Sequence, residues 1–171
     1  MAEKNWQQEA WDLIYKQKDI KRAIEYLDNV IEQHPQNDEA LAIKANALNQ
    51  LASDTKTWDF SREALKCAEK AIEINPRNDT ALFNKAWSLC DLGNPQEALE
   101  CTIKALEVNP KNIYTWYNKA WAHYLLHEIE KALECCNKII EIDPHFTDLA
   151  EALKSRIETR EFPDHLAQFK K

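Results

Sequence analysis

Residues Leu82-Phe83-Asn84-Lys85-Ala86-Trp87 return 34 positions later as Trp116-Tyr117-Asn118-Lys119-Ala120-Trp121. The stretches behind them, Gln96-Glu97-Ala98-Leu99-Glu100 and Glu130-Lys131-Ala132-Leu133-Glu134, keep the same distance. A period of this length marks stacked supersecondary units. Four X-Pro steps carry it along the chain: His34-Pro35, Asn75-Pro76, Asn109-Pro110 and Asp143-Pro144, separated by 41, 34 and 34 residues. Twelve residues before each proline stands an alanine (Ala23, Ala64, Ala98, Ala132), and five before stand Val30, Ala71, Ala105 and Ile139. Proline disfavours helical geometry in the residue before it, so amphipathic runs such as Ile103-Lys104-Ala105-Leu106-Glu107-Val108 end there. Each period therefore reads as two helices. Ala86 and Ala120, 24 residues before their prolines, with Ala45 in the same role in the second unit, allow the two helices of a pair to approach closely.

These positions resemble the tetratricopeptide repeat family, whose motif has a small residue in its first helix, an alanine in its second and a closing proline. The resemblance covers roughly residues 4–146. It implies an all-α, right-handed superhelical solenoid of antiparallel helix pairs. The units fall at about 4–37, 38–78, 79–112 and 113–146, followed by a capping helix at about 147–160 and a tail at 161–171. The cap follows from the apolar period of Thr147-Asp148-Leu149-Ala150-Glu151-Ala152-Leu153-Lys154-Ser155-Arg156-Ile157, because a stack needs a polar outer side at its end. In the tail, Phe162, Leu166 and Phe169 are candidates for docking onto the protein.

Three departures from the motif carry expectations. Trp11 stands where the family has a small residue, so the first pair should be splayed or its first helix displaced. The second unit is seven residues longer than the period, with the surplus around residues 52–58, which reads as a long loop with Trp58 anchored on the surface. The glycine of the inter-helix turn survives as Gly93 and is replaced by Lys18 and His127 in the first and fourth units.

Composition narrows the function. One glycine in 171 residues leaves no room for a glycine-rich phosphate loop or for Asn-Gly hairpins, and no cofactor is expected. Acids and bases are interleaved at a net charge of −7, which speaks against a nucleic-acid partner. No run of 18 apolar residues suggests a membrane span, and the amino-terminal residues lack the apolar core of a secretory signal, so the expected location is cytoplasmic.

Seven of the sixteen aromatic residues gather in the first helices of the third and fourth units. Phe83, Trp87 and Cys90 follow i, i+4, i+7 spacing, as do Tyr117, Trp121 and Tyr124, so each trio shares a helical face. The resemblance implies that this face lines a concave groove while Leu82, Ala86, Trp116 and Ala120 pack inside. Phe83, Trp87, Tyr114, Tyr117, Trp121 and Tyr124 are then candidates for burying a partner's apolar side chains, with Trp87 and Trp121 as central anchors. Asn84 and Asn118 offer donors and an acceptor to the backbone of an extended ligand, and Asn46, equivalent to Trp87 and Trp121, extends that polar track. The expected activity is a non-catalytic adaptor that binds a peptide or helical segment of another protein. The rivals are ordinary inter-repeat packing of these aromatics, a self-assembling homo-oligomer joined through the groove or tail, and an RNA-binding helical repeat.

Some family members hold acidic chaperone tails through a clamp of basic residues and asparagines. Laid over units two to four, its basic positions fall on Ala42, Tyr114 and Asn118, and starting one unit earlier gives Gln8, Asp12, Ile43, Thr80 and Asn84, so an acidic carboxy-terminal peptide is not the expected ligand. Cys67, Cys101 and Cys135 recur every 34 residues and are read as small packing residues kept reduced, with a thiol sensor or metal site as the alternative. His123 and His127 are four apart but lack the Glu of a His-Glu-x-x-His motif and read as packing and surface residues. No serine, cysteine or carboxylate has a catalytic partner by spacing.

Overall fold

A computed structural model describes residues 5–160 and Leu166, and every element among them is helical. Helix α1 (Trp6–Trp11) runs on into a π-helical turn (Asp12–Lys16). It is followed by α2 (Ile20–Gln33), α3 (Asp38–Thr55), α4 (Asp59–Ile74), α5 (Asp79–Asp91), α6 (Pro95–Val108), α7 (Ile113–Leu125) and α8 (Ile129–Ile142). A 3-10 turn (Pro144–Phe146) leads into α9 (Thr147–Glu158). From α2 to α8 each helix packs on the next, and α3, α5 and α7 also pack side by side. The chain is an all-α helical repeat solenoid.

The starts of the first helices have a common cause. Two residues after the first three closing prolines stand Asn37, Asn78 and Asn112, whose side-chain oxygens accept from the backbone N–H groups of Ala40, Ala81 and Thr115. Each caps one of the donors that a helix start leaves unpaired. Each unit is then closed on itself. Asn75 donates to Asp38 at 2.8 Å and Asn109 to Asp79 at 2.9 Å, each joining the residue before a proline to the start of the same unit's first helix. The small residues Ala45, Ala86 and Ala120 and their partners Ala64, Ala98 and Ala132 are all fully buried, where any larger side chain would push the paired helices apart.

The second unit corrects the expected loop. The surplus around residues 52–58 is helical up to Thr55: α3 has 18 residues against 13 in α5, and α4 has 16 against 14 in α6. The connection between the helices, residues 56–58, is as short as residues 92–94 in the next unit. Helix absorbs the insertion because each added residue gains an intrahelical bond. In the first unit, the α-helix stops at Trp11, and the wider π turn brings both Leu13 and Ile14 into the core while Trp11 stacks on Tyr15 at 5.6 Å. The turn positions Lys18, Lys56, Gly93 and His127 all have φ between 55 and 77°, so three side-chain-bearing residues occupy the left-handed conformation that glycine takes freely.

Lysines brace successive units on another face. Lys44 lies between Asp28 (2.6 Å) and Glu63 (3.2 Å), and its equivalent Lys85 lies between Glu69 (3.0 Å) and Glu97 (3.2 Å). In the fourth unit the two acids become Ile103 and Lys131, and Lys119 sits over the Trp116 ring instead, 4.9 Å from its centre. Beyond α8, Ala150, Leu153 and Ile157 of α9 join the core that runs back to α5. Leu166 is buried in the same core, whereas Phe162 and Phe169 lie outside the described residues. Among the described residues no helix is long and apolar enough to cross a membrane.

Candidate functional site

The aromatic recurrence that dominates the sequence converges on one cavity of about 590 Å³. Phe83 and Trp87, one turn apart on α5, face Tyr114, Tyr117, Asn118 and Trp121 of α7 across it. Phe83 touches the Trp87 ring at 5.9 Å and the Tyr114 ring at 6.3 Å, and Tyr114 meets Phe146 edge-on at 5.9 Å. Tyr114 is 53% exposed, an unusual position for a large aromatic side chain flanked by other rings.

Two walls come from outside the repeat motif. Ser53, Lys56 and Trp58, from the lengthened end of α3 and the turn after it, close one side. Leu149 and Arg156 of α9 close the other. The Arg156 guanidinium lies 4.8 Å from the centre of the Trp121 ring and hydrogen-bonds Tyr117, so the cavity already holds one cation against an aromatic face. Burial pushes the Tyr117 hydroxyl up from its usual range, and Arg156 only partly offsets this. Asp91, one turn beyond Trp87, is the acid among the lining residues. Burial pushes its carboxyl up to about 7, against the pull of the Ser61 hydroxyl at 3.3 Å, the charge of Lys56 and a hydrogen bond from the Trp87 side chain.

Six of the nine expected residues therefore meet at the cavity: Phe83, Trp87, Tyr114, Tyr117, Asn118 and Trp121. Three do not, and the reasons are geometric. Tyr124 is fully buried, packed at 5.3 Å on Trp121 in the core shared with α8 and α9. Asn84 is also fully buried; its amide donates to Ala42 O (3.2 Å) and Thr80 O (2.9 Å), so it ties α5 to α3 rather than facing a ligand. Asn46 is 4% exposed, accepts from the Tyr15 hydroxyl at 3.0 Å and donates toward Asn84 at 3.5 Å. Asn118 lines the cavity, but its amide N–H₂ donates to Phe83 O at 3.2 Å. Trp121 shows only 8% of its surface, so it is as much a core residue as a wall.

Sequence reading missed Ser53, Lys56, Asp91, Leu149 and Arg156. Only Asp91 carried a signal, since Phe83, Trp87 and Asp91 are spaced by four on one face of α5. Trp58 was expected on the surface and is a half-buried part of the wall.

The cysteine ladder is chemically quiet. Burial raises the thiols of Cys67 and Cys101, pushes Cys90 well up, and takes Cys135 to about 11 and Cys136 to about 12, which leaves little thiolate at neutral pH. His123 Nδ1 is hydrogen-bonded to Glu128 at 2.6 Å, and His127 occupies the turn after α7. Among the described residues no three His, Cys, Asp or Glu side chains are grouped to hold a metal.

Comparison with known proteins places this architecture. Models described as tetratricopeptide repeat match residues 10–37, 80–112 and 113–146, together more than half of the chain. The chain belongs to the tetratricopeptide repeat family. Among solved structures it is similar to a tetratricopeptide repeat protein of Thermus thermophilus, with 17% identity, a TM-score of 0.73, and coverage of 90% of this chain and 78% of that one. It is also similar to MamA from Desulfovibrio magneticus RS-1, with 16% identity, a TM-score of 0.64, and coverage of 96% and 91%. The tetratricopeptide repeat domain of Arabidopsis OM64 gives 22% identity, a TM-score of 0.60, and coverage of 72% and 96%. These likenesses concern the fold. A search of curated proteins finds no match. Tetratricopeptide repeats are in general protein-interaction modules, and this chain is one in that general sense.

Proposed function

We propose that this chain is an adaptor that holds a peptide or helical segment of a partner protein in the cavity between α5 and α7. The observation that carries the reading is the cavity of about 590 Å³, walled by Phe83, Trp87, Tyr114, Tyr117 and Trp121 with Tyr114 left half in solvent. Large, stiff aromatic side chains with few rotamers to lose supply most of the energy at protein interfaces. A volume of this size accommodates a few side chains rather than a whole domain, so the ligand is a segment. Asn118 contributes to the wall, whereas Asn84, Asn46 and Tyr124 support it from within. We read residues 4–37, 38–78, 79–112 and 113–146 as the units of a single domain. Five cysteines that form no disulfide suit an adaptor working in a reducing compartment such as the cytoplasm.

The test uses Trp87 and Tyr114, because Trp121 is too deeply packed to remove without loosening the core. A Trp87→Ala/Tyr114→Ala variant that keeps the wild-type helical content is compared with wild type in capture from cell extract, and the captured partner's affinity is then measured by calorimetry. The affinity should fall by about tenfold or more, as for the loss of central aromatic contacts. Equal affinity in the folded variant would refute the reading, and capture of only the same chain would favour self-assembly.

A further inference from the structure

The cavity contains a charge that its aromatic walls do not explain. Asp91 sits among rings, touched by the Ser61 hydroxyl and the Trp87 side chain, both neutral, and it forms no ion pair with a described residue. Two cations line the same cavity. Arg156 is committed to the Trp121 ring and Tyr117, and Lys56, on the rim, influences Asp91 only through space. A carboxylate held at the edge of an indole whose face lines the cavity is a matched site for a cation, since the ring face carries negative potential and the acid supplies the full charge. The chain's net charge of −7 draws cations toward it from a distance.

We propose that this end of the cavity seats a cationic side chain, a lysine or arginine of the bound segment, against the Trp87 and Phe83 rings, with its charge met by Asp91. This deepens the adaptor reading and rests on it. Burial without a charged partner holds the Asp91 carboxyl up at about 7, and an arriving cation restores its ionisation. Lys56 opposes the ligand from the rim, so removing its charge strengthens binding.

The experiment titrates the full, ¹⁵N-labelled chain at pH 7.5 with n-butylammonium chloride, n-butylguanidinium chloride or sodium butyrate at matched ionic strength, and follows the Trp87 indole N–H resonance. Both cations should shift it saturably and butyrate should not. Asp91→Asn, which keeps the hydrogen-bonding shape, should weaken the cations by about fivefold or more. Lys56→Gln should tighten them by about twofold. Shifts from butyrate equal to those from the cations, shifts that do not saturate, or an Asp91→Asn affinity equal to wild type would each overturn the proposal. If Asp91→Asn loses helicity, the butyrate comparison and Lys56→Gln decide. None of these failures touches the adaptor reading, which stands or falls with Trp87→Ala/Tyr114→Ala against a whole partner.

Discussion

The seam between α3 and α5 and the seam between α5 and α7 are built on the same register and filled with opposite chemistry. In the first, Asn46 and Asn49 of α3 meet Asn84 and Ser88 of α5. Asn49 donates to Asn84 O at 3.1 Å, and the Ser88 hydroxyl donates to Asn49 Oδ1 at 2.8 Å. In the second, the positions equivalent to Asn46 and Asn49 are Trp87 and Cys90, and Asn118 alone repeats the polar link by donating to Phe83 O. Buried amides that satisfy one another fix the relation between helices and leave no room for a ligand. Trp87 at one of these places, with Phe83, Tyr114, Tyr117 and Trp121 around it, leaves rings that are not all covered, and what they leave open is the cavity. The changes from Asn46 to Trp87, Asn49 to Cys90 and Ser88 to Ala122 in the register thus accompany the change from a sealed polar contact to an open aromatic cavity.

Breaking the aromatic seam should have the largest effect on stability. Trp121→Ala removes a nearly buried indole and the platform under Arg156, and should cost about 3–5 kcal/mol in urea unfolding. The polar seam comes next: Asn84→Ala leaves Ala42 O and the Asn46 amide short of a side-chain partner and should cost about 1–3 kcal/mol, whereas Asn118→Ala, with its single bond, should cost less in the same assay. Equal losses at the two asparagines would remove the distinction between the seams. The smallest effect sharpens the comparison through pH. The folded-state value of Asp91, near 7, lies above the ordinary carboxylate value of 3.8, so the folded protein holds a proton that the unfolded chain has released. Wild-type stability therefore declines relative to Asp91→Asn as pH rises from about 4 to 7, and the deficit then stays constant. Because Asp91 is partly exposed, the gain of Asp91→Asn at pH 8 should be on the order of 1 kcal/mol, vanishing near pH 4.

Much of the fold was legible because repetition multiplies weak signals. One X-Pro step says little, but four of them with alanines at fixed distances specify where pairs of helices begin and meet. Pro35-Gln36-Asn37, Pro76-Arg77-Asn78 and Pro110-Lys111-Asn112 add a cap at a constant offset. The candidate site was legible only where it follows the repeat. Spacing put Tyr124 on the face of Tyr117 and Trp121, but a helix that is apolar on two sides does not reveal which side its last turn buries, and α8 and α9 cover that turn. Asn84 was misplaced for a related reason. Each residue advances about 100° around a helix, so the neighbour of a groove residue such as Phe83 points at the adjoining helix. The walls from Lys56 and Arg156 were invisible because they belong to the insertion and the cap, where no period operates.

The double duty of α9 has a further consequence. It supplies Leu149 and Arg156 to the cavity while resting mainly on α8 and the 3-10 turn, at the end of the described stack. In a linear stack the outermost element opens at a lower free energy than the middle, and its opening here also dismantles one wall of the site. A bound segment that touches this wall must be released before α9 can detach, so occupancy raises the free energy of that opening by an amount that grows with ligand concentration over Kd. On the adaptor reading proposed above, recognition is coupled to the protection of α9, the last of the described helices: amide exchange and proteolytic nicking there become a readout of whether the cavity is filled.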